Sequence, residues 1–150
     1  MSSVSTYLNF TNQTEQAFLF YKKIFKNEFS APIMRFKDIP QTPNDNGECG
    51  HVSESDANLV MHVCLPILGG HLLMGTDAPQ SMGFKLNPGN NVYINLEPDT
   101  KEETDRLFNE LAEGGVVEMP LQVMFWGDYY GSLCDKFGVR WMFNYSTRER

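Results

Sequence analysis

Long apolar runs are missing from this chain. None approaches the ~20 residues that a membrane-spanning helix needs. The first residues, Met1 to Thr6, are polar and lack the charged-then-apolar layout of a signal peptide. Cysteine is scarce and odd in number: Cys49, Cys64 and Cys134 stand far apart with no CxxC pair, so a zinc ribbon or a thioredoxin-type site has no support. Thiols used this way fit a reducing compartment, and a cytoplasmic location is expected. Positive charge is also short, with 12 Lys and Arg against 19 Asp and Glu for a net charge of −7. A nucleic-acid or anionic-membrane binder shows a basic stripe, so neither partner is expected. A small anionic ligand held by one or two local cations stays open. No G-x-G-x-x-G occurs: Gly69-Gly70 leads into a strand, and Gly114-Gly115 ends a helix. A glycine-rich loop between a strand and a helix, the usual cradle for S-adenosylmethionine or a dinucleotide, is therefore absent, and methyl transfer is disfavoured.

What is present is a pattern written twice. The 150 residues are 41% hydrophobic and 13% aromatic, enough for one packed domain or two tightly packed half-domains. Tyr7-Leu8-Asn9-Phe10 reads as a strand, followed by a helix around Ala17, Phe18, Tyr21, Ile24 and Phe25, then Glu28-Phe29. Val92 to Leu96 repeats the strand, Leu107, Phe108 and Leu111 mark a second helix, and Val116-Val117 begins the next strand. Two copies of one supersecondary unit imply that each needs a partner to bury an apolar sheet face. Strands at Ile33–Phe36, Leu59–Leu65 and His71–Met74 make the first copy βαβββ; Gly131–Cys134 and Val139–Tyr145 complete the second. The copies run over about 5–77 and 91–146, with 78–90 as linker. Thr14 is the expected N-cap of the first helix. Thr100 with Glu103 forms a capping box for the second. Residues Pro40 to Glu54 offer few apolar anchors and are expected to be mobile.

Paired βαβββ units resemble the vicinal-oxygen-chelate superfamily of glyoxalase I, extradiol dioxygenases and bleomycin-resistance proteins. The finer likeness is to its PhnB-like, "3-demethylubiquinone-9 3-methyltransferase-like" branch. It is carried by Tyr7–Phe10, Glu15–Lys22, Leu73–Asp77, Met119–Gln122, Phe125–Gly131 and Asp135–Asn144. The resemblance implies an α+β fold in which paired modules form curved mixed sheets around a cavity, usually in a homodimer. It also implies metal ligands on inward strand positions, which fall near Thr6 or Tyr7, Met74, Asn91 and Met142. None is His, Glu or Asp, and a thioether is a poor ligand for zinc, nickel or manganese. No metal and no cofactor are expected.

The residues expected to line the cavity are His62, Met74, Trp126, Asp128, Tyr129, Arg140 and Met142. His62 alternates with Val60 and Cys64 and is either an acid/base contact or a partly buried, hydrogen-bonded imidazole. Trp126, Tyr129 and Tyr130 could stack on a flat ligand with Asp128 orienting it, or Trp126 could plug the space between sheets. Arg140 shares a face with Met142 and Asn144, where it either holds an anionic group or forms a surface salt bridge. Trp141 and Phe143 belong to the core, and Asp135 makes the turn before the last strand. The favoured function is binding of an unidentified small molecule. The alternative is a lyase, isomerase or dioxygenase-type enzyme of the same superfamily.

Overall fold

The computed structural model describes residues 1–39 and 54–147; the stretch from Pro40 to Ser53, with Cys49 and His51, lies outside them. The chain divides into two compact units, Met1–Leu86 and Asn87–Arg150. Each follows the same order. The first is β1 (Thr6–Phe10), α1 (Thr14–Phe25), β2 (Met34–Arg35), β3 (Val60–Pro66) and β4 (Leu72–Asp77). The second is β5 (Ile94–Leu96), α2 (Lys101–Ala112), β6 (Val116–Val123), β7 (Tyr129–Cys134) and β8 (Arg140–Tyr145). The sheets are four-stranded, ordered β1-β4-β3-β2 and β5-β8-β7-β6. In each, the first strand runs parallel to the last and the other pairs are antiparallel. The fold class expected from the sequence is the one found: two helices and two open mixed sheets, each sheet carrying its own helix.

Apolar spacing decides which faces close. On α1, Ala17, Phe18, Tyr21, Ile24 and Phe25 are buried; on α2, Leu107, Phe108 and Leu111 are. Under them, every second strand residue is buried: Val63, Leu65 and Leu73 in the first unit, Leu133, Trp141 and Phe143 in the second. The intervening residues form the face that no helix covers. Glycine allows the closest approaches. A Cβ on Gly75 would lie 2.5 Å from Phe18 Cε2, and one on Gly131 would lie 3.0 Å from Phe108 Cε2.

Two local expectations change. Thr14 is the first helical residue rather than the N-cap; Gln13 holds that place without a side-chain cap bond. The capping acceptor comes from β4, where Asp77 Oδ1 accepts from the Thr14 amide at 3.1 Å and its hydroxyl at 2.8 Å, while Oδ2 accepts from the Val60 amide at 2.8 Å. Glu28-Phe29 forms no strand. Thr100 caps α2 as expected, accepting from the Glu103 amide at 3.1 Å, while the Glu103 carboxylate accepts from Arg106 on its own helix.

Candidate functional site

The open face of the second sheet centres on its two middle strands, β7 and β8. Arg140 stands opposite Cys134, Met142 opposite Ser132, and Asn144 opposite Tyr130. This puts a cation and a thiol at one end, a thioether in the middle, and an amide with a phenol at the other end. At the cationic end Arg140 Nη1 lies 3.0 Å from Glu118 Oε2. The Tyr93 hydroxyl donates to the same carboxylate at 2.9 and 3.1 Å, and that bond raises the Tyr93 pKa, with burial adding to it. A shallow pocket of about 330 Å³ opens there, lined by Pro88, Gly89, Asn90, Cys134, Gly138 and Arg140. Burial pushes the Cys134 thiol up despite the nearby Arg140 charge, so it stays protonated at neutral pH.

At the other end, Met124 to Asp128 close the β6–β7 turn, with Gly127 at φ 98° donating its amide to the Met124 carbonyl. Only a residue without a Cβ adopts that conformation freely. The turn presents Phe125, 96% exposed, and Trp126, 39% exposed. Trp126 meets Phe125 edge-on at 4.9 Å and Tyr130 at 6.1 Å. Asn144 Nδ2 donates to Asp128 Oδ2 at 3.1 Å. Trp126, Asp128, Arg140 and Met142 thus belong to one unit; Arg140 and Met142 stand on its open face, and Trp126 and Asp128 meet that face through Tyr130 and Asn144.

Tyr129 does not join them. It alternates with Tyr130, so it faces α2, where its hydroxyl donates to Asp105 Oδ1 at 2.6 Å and Lys101 Nζ sits 4.7 Å from the ring centre. The bond raises the Tyr129 pKa and lowers that of Asp105, which makes the pair a strut between helix and sheet. The remaining two expected residues, His62 and Met74, lie on the open face of the first sheet. Tyr7 Oη lies 3.3 Å from His62 Nδ1, and Met74 stands between Tyr7 and Cys64 in register.

The strand register also locates the positions that the superfamily likeness marks for metal ligands. Tyr7 pairs with Met74, and Asn95, not Asn91, pairs with Met142; Asn91 precedes β5 because that strand starts only at Ile94. A phenol, an amide and two thioethers do not suit a borderline or hard divalent ion. Among the described residues, no three of His, Cys, Asp and Glu gather into a metal-holding group, and no helix is long and apolar enough to cross a membrane.

Comparison with known proteins gives this architecture its family. The family model described as 3-demethylubiquinone-9 3-methyltransferase matches residues 2–143. The chain belongs to that family. Protein YjdN of Escherichia coli K12 is 30% identical over 146 residues, which cover 94% of this chain and 93% of that protein. The structure of protein PA1353 from Pseudomonas aeruginosa superposes with a TM-score of 0.81 at 31% identity, covering 97% of this chain and 98% of that one. A glyoxalase/bleomycin resistance protein/dioxygenase family enzyme from Burkholderia phytofirmans shares the fold, with a TM-score of 0.58 at 17% identity over 93% of this chain and 96% of that one.

Proposed function

We propose that this family member binds a small organic molecule on the open face of its second sheet, without the divalent metal of its catalytic relatives. One observation carries the reading: the row Arg140, Met142, Asn144 beside Tyr130 and Trp126 places a cation, an apolar middle and an aromatic end on a face that the unit's own helix leaves uncovered. Such a row suits a ligand with a flat or apolar body and one anionic group. Arg140 is already charge-paired, so a ligand carboxylate would have to take the place of Glu118. The titrating groups favour binding over catalysis. The Cys134 thiol and the Tyr93 phenol are both held protonated, and neither is poised as a nucleophile or base. The family description names a methyltransferase, yet the strand-to-helix junctions at 11–13 and 97–100 contain no glycine, so methyl transfer is not part of this reading.

The chain would act in the cytoplasm as a homodimer. On β6, Val116, Val117, Met119 and Val123 are between 36% and 72% exposed, a strand edge that a second copy would shield. Screening a library of small aromatic acids by isothermal titration tests the binding. Trp126→Ala should weaken any hit by about 1–3 kcal/mol, and Arg140→Met should weaken carboxylate-bearing hits while sparing their neutral amides. Equal loss for acids and amides would remove the anionic group from the proposal, and full affinity in Trp126→Ala would remove the aromatic end. Sedimentation at micromolar concentration should give twice the chain mass; a monomer would end the dimer claim.

A further inference from the structure

The open face of the first sheet carries a different chemistry. Met34 on β2 stands directly opposite His62 on β3. Two residues on, Cys64 stands opposite Met74 on β4. Val63 between them is buried toward the helix, so His62 and Cys64 point the same way; pleating puts Met74 on that side too, and Met34 meets His62 across the strand at the bulged end of β2. Partners of this kind have Cβ atoms roughly 5 Å apart, within reach of flexible thioether arms. One imidazole, one thiol and two thioethers therefore share a small patch. Around it on this face, Tyr7, Asn9, Pro66, Leu72 and Thr76 bring no carboxylate.

The first donors are also oriented from behind. The Tyr7 hydroxyl lies 3.3 Å from His62 Nδ1; with the proton on Nδ1, donated to that oxygen, the lone pair of Nε2 is available. The Ser30 hydroxyl donates to Cys64 Sγ at 3.5 Å. Metal sites use such outer partners to fix ligand geometry and basicity. The donors that a divalent ion needs, His and Glu, are missing from the positions that the superfamily likeness marks. Thioethers, poor ligands there, are preferred ones for a soft monovalent ion.

We infer that Met34, His62, Cys64 and Met74 form a site for a soft monovalent metal ion, with Cu(I) as the natural occupant. Binding exchanges the Cys64 S–H bond for an S–Cu bond and releases one proton to solvent; copper stays Cu(I) throughout. The site does not depend on the ligand reading of the second sheet.

The test uses the full chain carrying Cys49→Ser and Cys134→Ser, so that no other thiol competes. Anaerobic titration with Cu(I) against a bicinchoninate competitor should give one ion and one released proton per chain. Cys64→Ser should abolish high-affinity binding. The volume-conserving pair Met34→Leu and Met74→Leu should weaken it while leaving thermal unfolding of the metal-free protein unchanged, and Tyr7→Phe should weaken it by about tenfold. Zn(II) in excess should not displace the ion. Undiminished affinity in the Met34→Leu, Met74→Leu protein, no binding in the Ser-substituted background, or ready displacement by Zn(II) would each overturn the site.

Discussion

The first and second units start their helices in opposite ways. Each helix carries a fully buried threonine followed four residues later by a buried phenylalanine: Thr14 and Phe18 in α1, Thr104 and Phe108 in α2. In α2 the helix begins earlier, at Lys101. Thr100 caps it locally, and the Thr104 hydroxyl donates to the Thr100 carbonyl at 2.8 Å. In α1 the helix begins at Thr14 itself, and Asp77, 63 residues away in sequence, supplies the acceptor. One unit solves the problem of unsatisfied amides with its neighbours in sequence, the other with its sheet. Asp77 also holds the first residue of β3, so its loss reaches helix and sheet together.

The largest effect should follow from removing that distant cap. Asp77→Ala leaves two amides and a hydroxyl without their acceptor in a site where Asp77 is 3% exposed; at about 1 kcal/mol each, urea denaturation should show a loss of about 3 kcal/mol. Thr100→Ala should cost only about 1 kcal/mol. Equal losses would show that the two caps are energetically alike. Next comes Gly75→Ala, whose new methyl group meets Phe18, fully buried, at 2.5 Å; about 2 kcal/mol is expected. Gly131→Ala should cost less because its tightest contact, with the end of the Leu121 side chain, is 2.9 Å rather than 2.5 Å, although Phe108 at 3.0 Å and the Leu121 backbone nitrogen at 3.1 Å also crowd the new methyl group.

A smaller difference concerns pH. The second unit ties its helix to the sheet by the bond between Tyr129 and Asp105, whereas the hairpin position of Tyr129 is held in the first unit by Met61. Tyr129→Phe should cost about 1 kcal/mol at neutral pH. Asp105 is depressed when folded, first by the Tyr129 bond, so its contribution is present above the ordinary carboxylate range and lost as pH falls through the lowered value. Tyr129 is raised by the same bond, so its contribution is present below the ordinary phenol range and lost as pH rises through the raised value. The gap between wild type and Tyr129→Phe should therefore be widest from roughly pH 5 to 9 and narrow on both sides. A gap that stays constant to pH 2 would mean that the bond does not couple to Asp105.

Much of this was legible in residue order. The doubled βαβββ pattern, the Thr100 cap and the core role of Trp141 and Phe143 follow from spacing alone. The Asp135 turn is also as read, its carboxylate accepting from the Phe137 and Val139 amides and from Trp141 Nε1. Met74 and Met142 do take matching places, each opposite the first strand of its unit. Asp77 escaped because its partners lie on other strands and helices; only the fold brings them together. Tyr129 sits apart from Trp126 and Tyr130 for a simpler reason: it is a strand residue, and alternation along Tyr129, Gly131 and Leu133 puts it under α2. The patch of Met34, His62, Cys64 and Met74 needed the pairing of β2 with β3, which a short strand before a long connection does not announce.

The glycines beneath the two helices carry a consequence for how the halves can change. Counting from the matching hairpin ends, Pro66 with Leu72 and Cys134 with Arg140, the facing pair Val63 and Gly75 corresponds to Gly131 and Phe143. The small partner has traded strands. What each half keeps is one glycine and one larger side chain in the facing pair, not the identity of either position. A lone replacement that copies one half into the other overfills the space under Phe18 or leaves a hole beneath Phe108, whereas the paired exchange passes through neither end state. Such a landscape ties the two positions together, so that one arrangement reaches the other only when both residues change at once.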